Sequence, residues 1–208
     1  MTRVAVVGAG PAGFYATDRL LRRGWCDVVL CDRFPTPWGL GGGVVAPGHP
    51  KIKSVSRVFE KTAKLEVFRF HGNLEVGSDI THDELLAHHD AVIYTYGAAL
   101  DRRLGIPGEE LPGSVPATEF VAWYNGHPDA VHHEFDLRGP RAVVIGNGNV
   151  ALDVARILTA EPDDLARTDI SAADLAALRT SAVREVVIAT GADTVICDGE
   201  LEPACLDA

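Results

Sequence analysis

The sequence lacks three features, and each absence excludes a class of function. It has four cysteines in 208 residues but no Cys-x-x-Cys pair, so neither a zinc site nor a dithiol redox centre is predicted, and the thiols are expected to be reduced bystanders. Lys and Arg number 19 against 29 Asp and Glu, and this net charge of −10 argues against a nucleic acid partner. No apolar run approaches the length of a membrane span.

The beginning of the chain also lacks the order of segments that a signal peptide has. A short apolar stretch, Val4–Val7, leads directly into glycine, without a basic start, a longer apolar stretch and a cleavage site. We therefore expect a cytoplasmic protein that has no contact with a membrane.

Short apolar strands alternate with helical patterns, which is typical of βαβ units with parallel sheets. The predicted strands cover 4–7, 28–30, 67–70, 91–94, 142–145 and 185–188, and the predicted helices cover 11–23, 54–64, 149–158 and 172–178. Because the order strand, glycine loop, helix occurs twice, we predict an α/β fold with two tandem Rossmann-like dinucleotide-binding units. The first unit is expected at 1–100, a Gly- and Pro-rich linker at 101–116, the second unit at 117–190 and an atypical tail at 191–208.

The first glycine loop carries the spacing of a dinucleotide site. Gly8, Gly10 and Gly13 follow an apolar strand and open a helix, and Asp32 comes 19 positions after Gly13. The first glycine permits a tight turn, the second lets a pyrophosphate approach the backbone, and the third lets the helix pack closely on the strand. The acid is expected to accept hydrogen bonds from ribose hydroxyls. The alternative is a glycine turn that binds no ligand.

A long Gly- and Pro-rich loop at 34–50 is more specific than any glycine loop. It contains Pro35-Thr36-Pro37-Trp38-Gly39-Leu40 and then Val45-Ala46-Pro47, followed after one residue by His49-Pro50-Lys51-Ile52-Lys53. This loop resembles that of the adrenodoxin-reductase type of ferredoxin–NADP reductase, a flavoenzyme with one FAD domain and one NADP domain. The resemblance continues to about residue 188, through segments such as Phe59-Glu60-Lys61-Thr62 and Ile106-Pro107-Gly108-Glu109.

The resemblance implies that the first unit binds FAD. The residues that match the family's FAD-binding positions are Gly8, Gly10, Ala12, Gly13, Asp32, Leu40 and Val76. Family members usually have Glu where this chain has Asp32, a shorter acid that can accept the same hydrogen bonds. Trp38 is expected in the wall of the flavin pocket, and the alternative is a rigid surface loop.

The resemblance also implies a proton relay beside the flavin. His49 matches a family histidine near the flavin, and Asp153 matches an aspartate on the second glycine helix. A His–Asp pair can orient the ring and relay a proton as the flavin is reduced. The alternatives are an ordinary hydrogen-bonded loop histidine and an ordinary exposed carboxylate on a helix.

The second glycine loop is the Gly-x-Gly-x-x-Ala variant. It consists of Gly146, Asn147, Gly148, Asn149, Val150 and Ala151. In the family this loop holds the pyrophosphate of NADP(H), and NAD is the alternative here. The implied reaction is hydride transfer from the nicotinamide to the flavin, followed by single-electron transfer to a ferredoxin-like iron–sulfur protein.

Three departures from the family pattern limit this prediction. The segment Gly41-Gly42-Gly43-Val44 stands where the family has a Val-Arg pair and a glycine. After the strand at 185–188, Ala189-Thr190-Gly191-Ala192-Asp193 replaces a Gly-Arg-Arg segment whose guanidiniums hold the 2′-phosphate of NADP. Family members are about twice as long, so both units are expected to be incomplete on their C-terminal side. The alternative function is therefore a binding fragment that holds FAD or an ADP-like ligand without turnover.

A basic face is predicted on the helix at 54–64 and just before it. Lys53, Arg57, Lys61 and Lys64 fall on one side at helical spacing. Such a face can steer an acidic ferredoxin toward the flavin. The alternative is an ordinary solvated helix face.

Overall fold

The computed structural model describes residues 1–37, 46–48, 56–98, 101–189 and 194–197. The chain divides into two compact units, one comprising Met1–Val45 with His49–Ala99 and the other Ala46–Gly48 with Leu100–Ala208. The residues predicted as a linker, 101–116, group with the second unit. The exact domain boundaries stay a prediction.

The first unit is a four-stranded parallel sheet with helices. Its elements are β1 Thr2–Val7, α1 Pro11–Arg22, β2 Cys26–Cys31, α2 Ser56–Ala63, β3 Phe68–His71, α3 His82–His88 and β4 Ala91–Tyr94. The strand order is β3-β2-β1-β4, so β1 has a parallel partner on each side. This arrangement confirms the predicted α/β, Rossmann-like class.

Both faces of β1 are buried, as parallel sheets require. Val4 and Val6 pack with Phe14 of α1 and Phe59 of α2, whose rings stack with centroids 4.9 Å apart. Ala5 and Val7, on the other face of β1, pack against Leu85 of α3. Helix α3 was not predicted, although its first turn carries a capping-box pattern that the sequence shows.

That capping box joins Thr81 and Glu84. The Thr81 side chain accepts the Glu84 N–H at 3.2 Å, and the Glu84 carboxylate accepts the Thr81 N–H at 2.8 Å. These two bonds satisfy donors that a helix start leaves without a partner in the helix. The backbone hydrogen bond from Thr81 lowers the pKa of Glu84 below its ordinary value.

The second unit is a three-stranded sheet with a larger set of helices. Its elements are α4 Ala117–Tyr124, a 3-10 turn Pro128–Ala130, β5 Arg141–Ile145, α5 Asn149–Thr159, α6 Pro162–Leu165, α7 Ala172–Arg179, β6 Glu185–Ala189 and β7 Thr194–Cys197. Strands β5 and β6 are parallel, and β7 adds antiparallel to β6. Strand β7 lies inside the segment predicted as an atypical tail.

An aromatic cluster forms the core on one side of the second unit. Phe120, Trp123 and Tyr124 of α4 are almost fully buried, and the ring of Phe135 lies 5.0 Å from both Phe120 and Trp123. Their spacing of three and four residues places them on one face of α4. Within the described ranges, no helix has both the length and the apolar character needed to cross a membrane.

Candidate dinucleotide-binding sites

The first glycine loop is packed so tightly that two of its glycines have no room for a side chain. Gly8 has φ +108°, and a Cβ there would lie 2.6 Å from the backbone of Thr95 and Tyr96. A Cβ on Gly13 would overlap the carbonyl oxygen of Gly8. Gly13 therefore brings the start of α1 directly against the turn that leaves β1.

Gly10 has a different environment from the other two glycines of the loop. Among the described residues, no atom lies within 4 Å of a Cβ built on it. It is the N-cap of α1, and Pro11 occupies the first helical position, where a missing N–H does no harm. The helix start therefore presents open backbone and a positive dipole end, which is the arrangement that binds a phosphate.

Asp32 organises the loop from the end of β2. Its carboxylate accepts the Ala9 N–H at 2.6 Å and the Phe34 N–H at 2.9 Å, and the side chain is buried. One bond reaches each oxygen, so both oxygens keep acceptor capacity for a further hydroxyl. The predicted bond to ribose stays a prediction, and the carboxylate also has a structural role that sequence reasoning missed.

Thr95 is a second residue that sequence reasoning missed. Its hydroxyl lies 2.8 Å from the carbonyl oxygen of Gly8 and 3.0 Å from that of Val7, and its N–H donates to the Val7 carbonyl at 2.7 Å. These bonds fix the turn between β1 and the glycine loop. The available signal was a threonine directly after the apolar strand β4.

The two other described residues of the predicted FAD site belong to different parts of the first unit. Ala12 is exposed in the first turn of α1, at the helix start. Val76 is partly buried against Ala5, Val7 and Leu85, on the face of the sheet that α3 covers. Their cofactor contacts stay predictions.

The second glycine loop repeats the geometry of the first. Gly146 has φ +114°, Gly148 is the N-cap of α5, and no described atom lies within 4 Å of a Cβ built on either glycine. Ala151 takes the place of the third glycine and is buried. Asn147 lies within the turn, while Asn149 and the exposed Val150 begin the helix. This loop also presents a helix start that can bind a phosphate.

Asp153 belongs to a polar cluster on α5. The Arg156 guanidinium donates to the Asp153 carboxylate at 3.2 Å and to the carbonyl oxygen of Pro47 at 2.8 Å. Tyr124 is buried beside them. Burial raises the pKa of Tyr124 well above its ordinary value, Asp153 raises it further, and Arg156 opposes both effects. Arg156 therefore joins Asp153 to the segment that precedes His49 in the chain.

The structure describes only some of the remaining residues that were predicted to be functional. Trp38, Leu40, His49 and Lys53 lie outside the described residues, so the predicted His49–Asp153 pair stays a prediction. The other three residues of the basic face are exposed: Arg57 and Lys61 lie on α2, and Lys64 follows the end of that helix.

The two cysteines of the first unit do not form a dithiol. Cys26 and Cys31 are buried free thiols at the two ends of β2. Five residue steps along a strand separate their Cα atoms by roughly 16 Å, which is too far for a disulfide. Burial, and secondarily the charge of Asp32, raises the pKa of Cys31 to about 11. Cys31 is therefore protonated at neutral pH.

Known proteins similar to this chain confirm the resemblance predicted from the loop at 34–50. The chain is 53% identical over 191 residues to NADPH-ferredoxin reductase FprA of Mycobacterium tuberculosis, covering 89% of this chain and 42% of that protein. It is 48% identical over 184 residues to human mitochondrial NADPH:adrenodoxin oxidoreductase, covering 88% of this chain and 38% of that protein. The chain thus spans about two fifths of the length of the curated relatives it matches.

The fold agrees with that of a solved relative. The structure of Mycobacterium tuberculosis FprA in complex with NADPH matches with a TM-score of 0.86 at 53% identity, covering 90% of this chain and 43% of that chain. Residues 2–161 also match the family model described as pyridine nucleotide-disulphide oxidoreductase. The chain belongs to the pyridine nucleotide-disulphide oxidoreductase family.

Proposed function

We propose that the chain carries the two dinucleotide-binding units of an FAD-dependent oxidoreductase that passes electrons between NADPH and a ferredoxin-like iron–sulfur protein. The relatives in which about half of the residues in the matched region are identical to this chain are named as reductases of this kind. The donor in the relatives' names is NADPH, and the acceptor there is ferredoxin or adrenodoxin.

One observation carries the proposal: the chain contains the same phosphate-binding geometry twice. In each unit a parallel strand leads into a positive-φ glycine, and the next glycine caps a helix with open space above it. A two-electron transfer between two dinucleotides needs two such sites in one protein, whereas a single-substrate binding module needs one.

The residues of the first unit fit the adenosine and pyrophosphate parts of FAD. The open backbone at Gly10 and the start of α1 can hold the pyrophosphate, and the Asp32 carboxylate can accept a ribose hydroxyl. A bound flavin would supply the ability to take up two electrons from one donor and to release them one at a time. Thr95 keeps the turn closed, so these groups are in place before the ligand binds.

The residues of the second unit fit the pyrophosphate of a nicotinamide dinucleotide. Gly148 and the first turn of α5 offer the same open helix start, and Ala151 closes the contact between helix and strand. We assign Asp153 the role of orienting His49 for proton transfer, with Arg156 holding the carboxylate and the Pro47 carbonyl together.

We assign the basic face of Lys53, Arg57, Lys61 and Lys64 to the iron–sulfur partner. Arg57, Lys61 and Lys64 are exposed, as a docking surface requires. The first hundred residues carry eleven Lys and Arg against ten Asp and Glu, whereas the remainder is strongly acidic. An acidic partner is therefore attracted to the first unit. A cytoplasmic location stays a prediction, since the human relative is mitochondrial.

The test is anaerobic reduction of the purified chain. The protein is loaded with FAD, its visible spectrum is recorded, and NADPH and NADH are added separately. Bleaching of the flavin absorbance at a rate that depends on dinucleotide concentration is the expected result. Subsequent addition of an oxidised ferredoxin should restore the flavin absorbance, because the electrons move on to the iron–sulfur cluster.

Controls separate the proposal from a simple binding protein. A protein that binds FAD but is bleached by neither dinucleotide would be a binding fragment, and the catalytic proposal would be wrong for this chain. The variant Gly148→Ala should raise the dinucleotide concentration needed for bleaching by about tenfold or more while FAD stays bound, because it changes only the second loop.

A further inference from the structure

Three aromatic side chains of the first unit lie together where β4 ends. Tyr94 is the last residue of β4, Tyr96 follows it two positions later, and His82 begins α3. The rings of Tyr94 and Tyr96 meet edge to face, with their centroids 5.8 Å apart. The Tyr94 hydroxyl lies 2.7 Å from Nδ1 of His82, which is a hydrogen-bonding distance. His82 therefore restrains Tyr94, whose ring in turn supports that of Tyr96.

Tyr96 is largely exposed to solvent, although a neighbouring ring supports it. The residue is 70% exposed, whereas Tyr94 is 42% exposed. Covering such a ring removes apolar surface from water, which is favourable. Cofactor pockets are lined predominantly by apolar and aromatic side chains. Whether this ring lines a pocket depends on its position relative to a ligand site.

The backbone of Tyr96 borders the first glycine loop. Strand β4 lies beside β1, and Val7 pairs with Tyr94 in the parallel register. A Cβ built on Gly8 would lie 2.6 Å from the backbone nitrogen of Tyr96. Tyr96 therefore lies next to the turn that leads into α1, at the carboxyl edge of the sheet.

The strand order indicates which half of a dinucleotide reaches this part of the edge. The chain runs from β1 outward to β2 and β3 and then returns to the other side of β1 for β4. Ligands of such sheets bind across this reversal, outside the carboxyl ends of the strands. Asp32, which follows β2, is assigned to the adenosine ribose, and the start of α1 is assigned to the pyrophosphate. The remaining half of the ligand therefore extends over β4, and in FAD this half is the ribityl chain with the isoalloxazine ring.

We infer that the Tyr96 ring packs against the flavin half of FAD at the carboxyl end of β4. The inference rests on the proposed function, because it takes the first unit as an FAD site. It deepens that function, because Gly10 and Asp32 fit only the pyrophosphate and adenosine parts of the cofactor. The ring adds apolar contact on the other side of the glycine loop and leaves the adenosine half untouched.

The experiment compares FAD with ADP, which contains the adenosine and both phosphates but has no flavin half. Each ligand is titrated by calorimetry into the chain freed of FAD, first for the wild type and then for Tyr96→Leu. The variant should bind FAD roughly twofold to tenfold more weakly, because one aromatic contact is lost. Its affinity for ADP should change by less than about twofold, which would also show that the first unit remains folded.

Two further variants make the comparison specific to this ring. Tyr96→Phe keeps the ring, so its affinity for FAD should stay within about twofold of wild type. Trp25→Leu changes another exposed aromatic side chain, which directly precedes β2 and so lies at the opposite end of the strands from the glycine loop. This control should leave both affinities near wild type.

The outcomes separate this inference from the proposed function. A wild type that binds ADP but not FAD would overturn the proposed function and this inference with it. An unchanged FAD affinity in Tyr96→Leu, or an equal loss for FAD and ADP, would overturn the inference alone, because the ring would then make no specific contact with the flavin half. An equal loss of FAD affinity in Tyr96→Phe and Tyr96→Leu would also overturn it, because the ring itself would then contribute nothing.

Discussion

The two units begin with the same local pattern but bury their first strand differently. In β1, which is flanked by β2 and β4, the residues Val4, Ala5, Val6 and Val7 are at most 7% exposed. In β5, which pairs with β6 alone among the described strands, Val143 is 61% and Ile145 is 56% exposed. The glycine-loop geometry is nevertheless the same in both. A positive-φ glycine followed by a helix start therefore forms whether or not the strand before it is buried, whereas the burial of the strand depends on the neighbouring strands.

The units also differ in how their third loop residue meets the strand. Gly13 has no room for a Cβ, whereas Ala151 accommodates one at the equivalent position. The first loop is thus closed more tightly, with the Thr95 hydroxyl bonded to the Gly8 carbonyl. Variants made in pairs, one in each unit, test whether the two loops differ in this way.

The largest expected effect comes from exchanging the third residue of each loop. Gly13→Ala should destabilise the first unit by about 3 kcal/mol, because the added methyl overlaps the Gly8 carbonyl and lies 2.9 Å from the Thr95 hydroxyl. Ala151→Gly should cost less than about 1 kcal/mol, the helix propensity difference. Urea unfolding measures both. Equal losses for the two variants would contradict the difference in packing.

The next effect separates the two ligand sites without disturbing the fold. Gly10→Ala and Gly148→Ala place a methyl in open space, so unfolding free energies should fall by less than about 1 kcal/mol. Each methyl blocks the approach of a pyrophosphate, so Gly10→Ala should lower FAD affinity and Gly148→Ala should lower dinucleotide affinity, by about tenfold or more. Flavin absorbance and calorimetry report the two affinities. A loss at the opposite site would show that the assignments are reversed.

A smaller effect concerns pH and belongs to the first unit. Burial raises the pKa of Cys31 to about 11, above the ordinary value of 9.0 for this thiol. The folded protein therefore holds a proton that the unfolded chain releases above pH 9. The contribution of this thiol to stability is complete below pH 9 and is lost as the pH rises to about 11. Urea unfolding of the wild type and Cys31→Ala between pH 7 and 11 measures it, and parallel pH profiles would contradict the prediction.

The smallest expected effect concerns the partner surface. Lys61→Glu should slow ferredoxin reduction about threefold to tenfold at low ionic strength, because a steering charge is reversed. Arg167→Glu, an exposed change in the second unit, should leave the rate near wild type. Stopped-flow rates at increasing salt test this, since the difference should disappear when the charges are screened. A Lys61→Glu rate equal to wild type at low salt would remove this helix from the docking surface.

Much of the fold could be predicted because it follows local rules. The observed α1, α5 and α7 lie within one residue of their predicted ends, since apolar periodicity and the glycines before two of them mark their limits. Helix α3 was missed despite its Thr81–Glu84 capping box, because it is short and only Leu85 is fully buried. Strand β7 was missed because Thr194–Cys197 lies in the closing segment, which was interpreted as an atypical tail on account of its weak periodicity.

The candidate sites were predictable to a similar extent. The glycines, Asp32 and Asp153 were identified from spacing or resemblance. The hydrogen bonds of Thr95 to the loop and of Arg156 to Pro47 join residues 87 and 109 positions apart, so no local pattern shows them. The same holds for the Ala9 N–H that reaches the Asp32 carboxylate across 23 positions, whereas the Phe34 N–H, two residues from Asp32, bonds it in a local turn.

Residue type and short-range order are enough to specify the α/β class, the two glycine loops and the acidic second unit. Only the tertiary structure decided that Asp32 and Thr95 hold the first loop closed and that β1 is buried while β5 is half exposed. These facts depend on which distant segments become neighbours, and burial and long-range hydrogen bonds exist only once those segments meet.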